Sequence, residues 1–105
     1  MARVLLVEDN DVCATVFRRV LERAGYEVVV ATTISDAQAR ASAQTFDAAL
    51  VDTQLPDGNG ESLELACPRV MMSADSAPGV LDKSAGVAPL LDAVRDAIER
   101  PAPPS

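Results

Sequence analysis

Arg3-Val-Leu-Leu-Val7 runs directly into Glu8-Asp9-Asn10-Asp11, so a short apolar run stops against a block of acids and amides. An apolar run of this length, without alternation, is the pattern of a strand buried on both faces of a parallel sheet, and the polar break marks where it leaves the sheet. Working outward, Val12, Val16, Phe17, Val20, Leu21 and Ala24 fall at helical spacing, Gly25 supplies a stop, and Asn10 or Asp11 can cap the start. The β-branched run 28–31 is a second strand, and residues 32–35 offer caps for an alanine-rich helix over about 36–43. Residues 46–51 form a third strand that terminates in Asp52. A turn-rich stretch follows, then a short helical segment near 61–66, and residues 69–72 make a fourth strand ending at Ser73.

The next apolar piece, Gly79-Val-Leu81, comes so soon after Ser73 that residues 74–78 cannot make a helix with two connections. Leu90, Leu91, Val94 and Ile98 then mark a last amphipathic helix with Pro89 suited to its first turn. Strands alternating with helices imply a parallel sheet with right-handed crossovers, covered on both faces. The expected organisation is one domain over residues 1–100 and a flexible proline-rich tail over 101–105.

Composition closes several routes. A formal net charge of -7 repels a polyanion, so nucleic-acid binding is not expected. No apolar run is long enough for a membrane span, and no signal-peptide pattern is present, so the expectation is a cytoplasmic protein. Cys13 and Cys67, far apart and assigned to opposite sheet faces, are expected to be free thiols. With no histidine in the chain, zinc, haem and Ser-His or Cys-His chemistry lack their groups. Met71 and Met72 read as core filling.

In open parallel sheets ligands collect at the carboxyl ends of the strands. Strand one ends in Glu8 and Asp9, strand three in Asp52, strand four in Ser73, and the presumed fifth strand in Lys83, the only lysine. Each residue alone also fits an ordinary role: Glu8 and Asp9 complement a helix N-terminus, Asp52 caps a loop, Ser73 is a strand-end hydroxyl, and Lys83 is a solvated charge. Together they place an acid pair, an acid, a hydroxyl and an amine on consecutive strand ends, the set a phosphoryl-transfer site needs. Three gathered carboxylates call for a hard divalent cation, and magnesium suits an oxygen-only shell shared with phosphate.

On Val7-Glu-Asp9, Asp52-Thr-Gln-Leu-Pro-Asp-Gly-Asn-Gly60, Ser73-Ala74 and Lys83, the sequence resembles a response-regulator receiver domain of the CheY-like family over residues 2–99. The resemblance implies an α/β, flavodoxin-like, doubly wound parallel five-stranded sheet of order 2-1-3-4-5. It further implies that Asp52 is the phosphoacceptor, charged by a phosphohistidine on a sensor histidine kinase or a histidine phosphotransfer protein. Asp9, Asp52 and the Gln54 backbone carbonyl would hold Mg2+, with Glu8 acting through metal-bound water. Lys83 would counter the phosphoryl charge and Ser73 would hydrogen-bond a phosphoryl oxygen.

The chain departs from the family pattern between Asp52 and Lys83. Only residues 74–82 separate Ser73 from Lys83, against the dozen or more that a parallel crossover ordinarily takes. Six extended residues still reach roughly 20 Å. The fourth helix is therefore expected to be missing and the third shortened, with strand five parallel rather than antiparallel. The bared sheet surface is expected to be covered by a protein target or, in a homodimer, a second copy. Val80 replaces the family's switching aromatic, and Ser84 follows the lysine where the family has proline. The reading is a stand-alone receiver in two-component or phosphorelay signalling, not an enzyme in the turnover sense. The alternatives are a phosphorylation-independent pseudo-receiver and a haloacid-dehalogenase-like phosphatase, the last opposed by Gln54 where a second acid is required.

Overall fold

Val4, Leu5, Leu6 and Val7 are all buried, as are Ala48 through Val51, because the strands that carry them lie in the middle of a sheet covered on both sides. The computed structural model describes residues 2–73, 81–82 and 86–99. Its strands are β1 (Arg3–Val7), β2 (Glu27–Ala31), β3 (Ala48–Asp52), a small hairpin of β4 (Gln54–Leu55) and β5 (Gly58–Asn59), β6 (Arg69–Ser73) and β7 (Leu81–Asp82). The helices are α1 (Asp11–Arg23), α2 (Ile34–Ala43) and α3 (Val87–Glu99). The main sheet has the order β2-β1-β3-β6-β7 and every pair in it is parallel. With the separate hairpin left out of the count, this is the 2-1-3-4-5 order expected from the sequence.

Side-chain alternation in the strands sorts the core into two layers. Val4, Leu6, Leu50 and Met72 meet Phe17 and Leu21 of α1 and Leu90 and Val94 of α3. On the opposite face Leu5, Val7, Ala49 and Val51 meet Ala37 of α2 together with Leu55 and Leu63. Cys13 packs against the first layer and Cys67 against the second, so the two free thiols do lie on opposite faces. Met72 is fully buried and Met71 packs against the second layer, as core residues.

Helix ends follow their capping chemistry. Asn10 caps α1, its side chain accepting from Cys13 N at 3.0 Å, and Gly25 ends it at φ +97°. Helix α2 starts at Ile34, two residues earlier than the alanine pattern suggests, because Thr33 is its cap and accepts from Asp36 N at 3.0 Å. Thr33→Ala is expected to cost about 1 kcal/mol, read as a lower urea midpoint with an unchanged slope.

Two expectations need correction. The third strand starts at Ala48, not residue 46. The helical segment expected near residues 61–66 is only a 3-10 turn at Gly60–Ser62. Beyond it Leu63 is buried, Glu64 exposed and Leu65 half-buried, the alternation of an extended chain. Both backbone groups of Glu64 are taken by the Gln38 side chain, Glu64 N donating to Oε1 at 3.1 Å and Nε2 donating to Glu64 O at 2.8 Å. Pro68, with no N–H and a bias against helix in the residue before it, closes off a longer helix.

The parallel fifth strand expected from the sequence is β7, but it is only two residues long, with Leu81 level with Met72 and Asp82 with Ser73. That placement explains how a short connection suffices: β7 starts one residue below the end of β6, so the chain need not return to the far edge of the sheet. The expected loss of the fourth helix falls on residues 74–80, which lie outside the described residues, as do Val80, Lys83, Ser84 and the 101–105 tail. No helix among the described residues is long and apolar enough to cross a membrane.

Candidate functional site

Val7 is level with Val51 across the β1–β3 pair, so the residues that follow them emerge side by side. Glu8 and Asp9 leave β1, Asp52 closes β3, and each of the three offers a carboxylate oxygen within 4.8 Å of the others. Glu8 is 0% and Asp52 6% exposed, whereas Asp9 is open to solvent. Two unit charges about 5 Å apart repel by about 3 kcal/mol at an effective dielectric near 20. The donor set is carboxylate oxygen throughout, the kind a hard divalent cation takes, and such an ion fits these residues.

Hydrogen bonds hold each acid in place. Glu8 N donates to Ala31 O of β2 at 3.0 Å, and Glu8 Oε1 accepts from Asn10 N at 3.1 Å, turning the chain from β1 into α1. Asp52 Oδ1 accepts from Gln54 N at 3.1 Å, while Thr53 N donates to Met72 O at 2.9 Å. Gly60 N donates to Thr53 O at 3.1 Å and closes the base of the β4–β5 hairpin. A Cβ at Gly60 would run into the Asp52 carbonyl oxygen and lie 2.6 Å from Val51 Cγ1, so only glycine fits there. The Gly60 carbonyl accepts from Arg69 Nη1 at 3.3 Å. The cluster opens onto a cavity of about 640 Å³ whose wall also carries Gln54 and Ser73. Of the residues singled out from sequence, Glu8, Asp9, Asp52, Gln54 and Ser73 share this cavity. Lys83 lies outside the described residues, directly after β7 in the sequence.

Sequence reasoning missed Asp57. It sits in the hairpin turn after Pro56, and its carboxylate accepts from Ile34 N at 2.8 Å and Ser35 N at 3.0 Å, the first two N–H groups of α2. Those two bonds hold its carboxyl below the usual carboxylate range. A depressed folded-state value means the stabilisation is fully present above the unfolded value of about 3.9 and is lost as pH falls through the folded one. The gap in unfolding free energy between wild type and Asp57→Asn is therefore expected to be flat above about pH 5 and to close below about pH 4. Urea unfolding across that range checks it. By contrast, burial pushes the Cys67 thiol up, which leaves it protonated and unreactive near neutral pH.

An acid pair and a buried aspartate at neighbouring strand ends, in a parallel sheet of this order, narrow the possibilities. The family model described as response regulator receiver domain matches residues 4–80. The chain belongs to that family. Among curated proteins, the two-component response regulator ORR21 of Oryza sativa subsp. indica is 34% identical over 92 residues, 77% of this chain and 13% of the relative. The swarming motility regulation protein RssB of Serratia marcescens is 40% identical over 57 residues, 54% of this chain and 26% of the relative. This receiver chain thus spans a minor part of the length of the curated proteins it matches. Among solved structures, the non-phosphorylated HemR receiver domain of Leptospira biflexa is similar over 100% of both chains, with a TM-score of 0.85 and 26% identity. The protein is accordingly a receiver of two-component signal transduction, a module class that generally signals rather than turns over substrate and that typically binds magnesium.

Proposed function

We propose that this receiver accepts a phosphoryl group on Asp52 from the phosphohistidine of a sensor histidine kinase or histidine phosphotransfer protein, and passes the signal on by protein contact. The observation that carries the reading is the meeting of Glu8, Asp9 and Asp52 oxygens within 4.8 Å at one sheet edge, two of the three acids being buried. Asp9, Asp52 and the Gln54 carbonyl would hold Mg2+, with Glu8 reaching it through water. An ion held by these residues would supply neutralisation of the charge on the phosphoryl oxygens and on the acids. A carboxylate oxygen of Asp52 attacks phosphorus in line, the P–N bond breaks, and its electron pair leaves with the partner's imidazole. The Gln54 N–H fixes the rotation of the Asp52 carboxylate during this step. In this proposal Lys83 offsets the charge of the transferred group and the Ser73 hydroxyl hydrogen-bonds one of its oxygens.

The donor needs a place to dock beside the acids. Val12 is 72% and Val16 44% exposed on the helix that begins next to Asp9, and this apolar pair suits a partner protein. We place the reaction in the cytoplasm, in keeping with two free thiols. A homodimer over the sheet beside β7 belongs to the same proposal, and sedimentation with and without phosphodonor reads it.

Incubation with Mg2+ and an acyl phosphate, followed by intact mass measurement, tests the function. A single added phosphoryl group supports it. No adduct with any small donor, on a folded protein, selects the phosphorylation-independent interaction module, and sustained release of phosphate from unrelated esters selects a phosphatase.

A further inference from the structure

We propose that Asp57 is a positioning residue for the metal site: through its bonds to the start of α2 it holds the β4–β5 hairpin so that Gln54 stays at the wall of the acidic cavity. The inference deepens the phosphoacceptor reading and rests on it.

The hairpin consists of two residue pairs, Gln54 with Asn59 and Leu55 with Gly58. A ribbon of that size does not hold its own geometry in water. Its anchors come from α2. Asp57 binds Ile34 N and Ser35 N through separate oxygens at 2.8 and 3.0 Å, Leu55 is buried in the same cluster as Ala37 with Ile34 packed against it, and a Cβ at Gly58 would lie 3.2 Å from Ile34 Cδ1. Helix α2 is in turn fixed to the chain beyond the hairpin by the paired bonds between the Gln38 side chain and Glu64. With only a 3-10 turn after the hairpin, α2 takes over as its brace.

Chemistry makes the Asp57 link the specific one. Two N–H groups at the positive end of a helix meet two oxygens of one anion, giving charge-assisted bonds across the 34–57 separation. An asparagine offers one acceptor oxygen and turns a donor toward the second N–H, so it cannot reproduce the pair. Thr33 supplies the needed contrast. It caps the same helix, but its side chain accepts from Asp36 N, within α2 itself.

The experiment titrates MgCl2 alone into the 105-residue wild type, Asp57→Asn and Thr33→Ala by calorimetry, with a urea midpoint for each. Both substitutions are expected to lower the midpoint. Asp57→Asn is expected to weaken Mg2+ binding about tenfold, and Thr33→Ala by less than about twofold. Wild-type affinity in Asp57→Asn despite a lowered midpoint, or an equal loss in Thr33→Ala, makes Asp57 a helix cap only and overturns the inference. A wild type that takes up no Mg2+ overturns the phosphoacceptor reading and this inference with it, a failure visible in the wild-type arm alone.

Discussion

Asp52→Asn is expected to abolish the phosphoryl adduct while leaving the fold intact. The substituted side chain has the same shape, sits in the same 6%-exposed position, and keeps an oxygen to accept from Gln54 N. It loses the nucleophile: an amide oxygen cannot form the acyl phosphate under these conditions, so no partial rate remains. The same change removes one of three mutually repelling carboxylates, so stability without metal is not expected to fall. Wild-type protein should gain about 1.4 kcal/mol of stability when Mg2+ is in tenfold excess over its dissociation constant. The asparagine variant should gain much less, since it has lost one of the charged ligands. Intact mass for the adduct and urea unfolding with and without Mg2+ read both effects. An Asp52→Asn protein that still takes up phosphate moves the acceptor elsewhere.

Gly60→Ala is the second large effect, and it reaches the site through the backbone. The added methyl would meet the Asp52 carbonyl oxygen and Val51 Cγ1, both on the fully buried central strand, where neither can retreat. The loop must move instead, straining the Gly60 N to Thr53 O bond at 3.1 Å and the Leu63 N to Gly60 O bond at 3.2 Å. Overpacking of this kind costs about 1–3 kcal/mol, and the shifted loop takes with it the Gln54 N–H that orients the Asp52 carboxylate, so a misplacement of that carboxylate of the order of 1 Å slows adduct formation about 100-fold. Gly25→Ala separates the two effects. A Cβ there would meet nothing within 4 Å beyond its chain neighbours, but the φ of +97° disfavours a side chain, so the change is expected to cost about 1–2 kcal/mol with no change in adduct rate per folded molecule. Adduct formation at the wild-type rate in Gly60→Ala contradicts the tight fit of the loop.

The sheet and its acidic edge were legible because their signals are local. The run Val4–Val7 and the run into Asp52 are too apolar and too short to be anything but strands buried on both faces, and the acids after them mark the edge. The parallel direction of β7 was legible for a different reason: a reversed strand would have carried Lys83 away from the carboxylates. What the sequence hid depends on contacts between distant positions. Asp57 in a Pro-Asp-Gly turn looks like any turn former, and only the fold brings it to the N-terminus of α2, residues 34 and 35. Leu63, Leu65 and Ala66 suggest a helix by composition, yet the Gln38 amide takes both backbone groups of Glu64 and holds the chain extended. Propensity loses there to a tertiary hydrogen-bond pair.

Locating the phosphoryl group is the most direct test of the central claim. Wild-type protein is treated with acyl phosphate and Mg2+, the aspartyl phosphate is reduced with borohydride to homoserine, and the modified residue is read by tandem mass spectrometry of the peptides. The account predicts one modified position, residue 52, with none at Glu8 or Asp9 and none anywhere when a chelator replaces the metal. A modified residue other than Asp52, or equal labelling of Asp52 in the chelator, contradicts it.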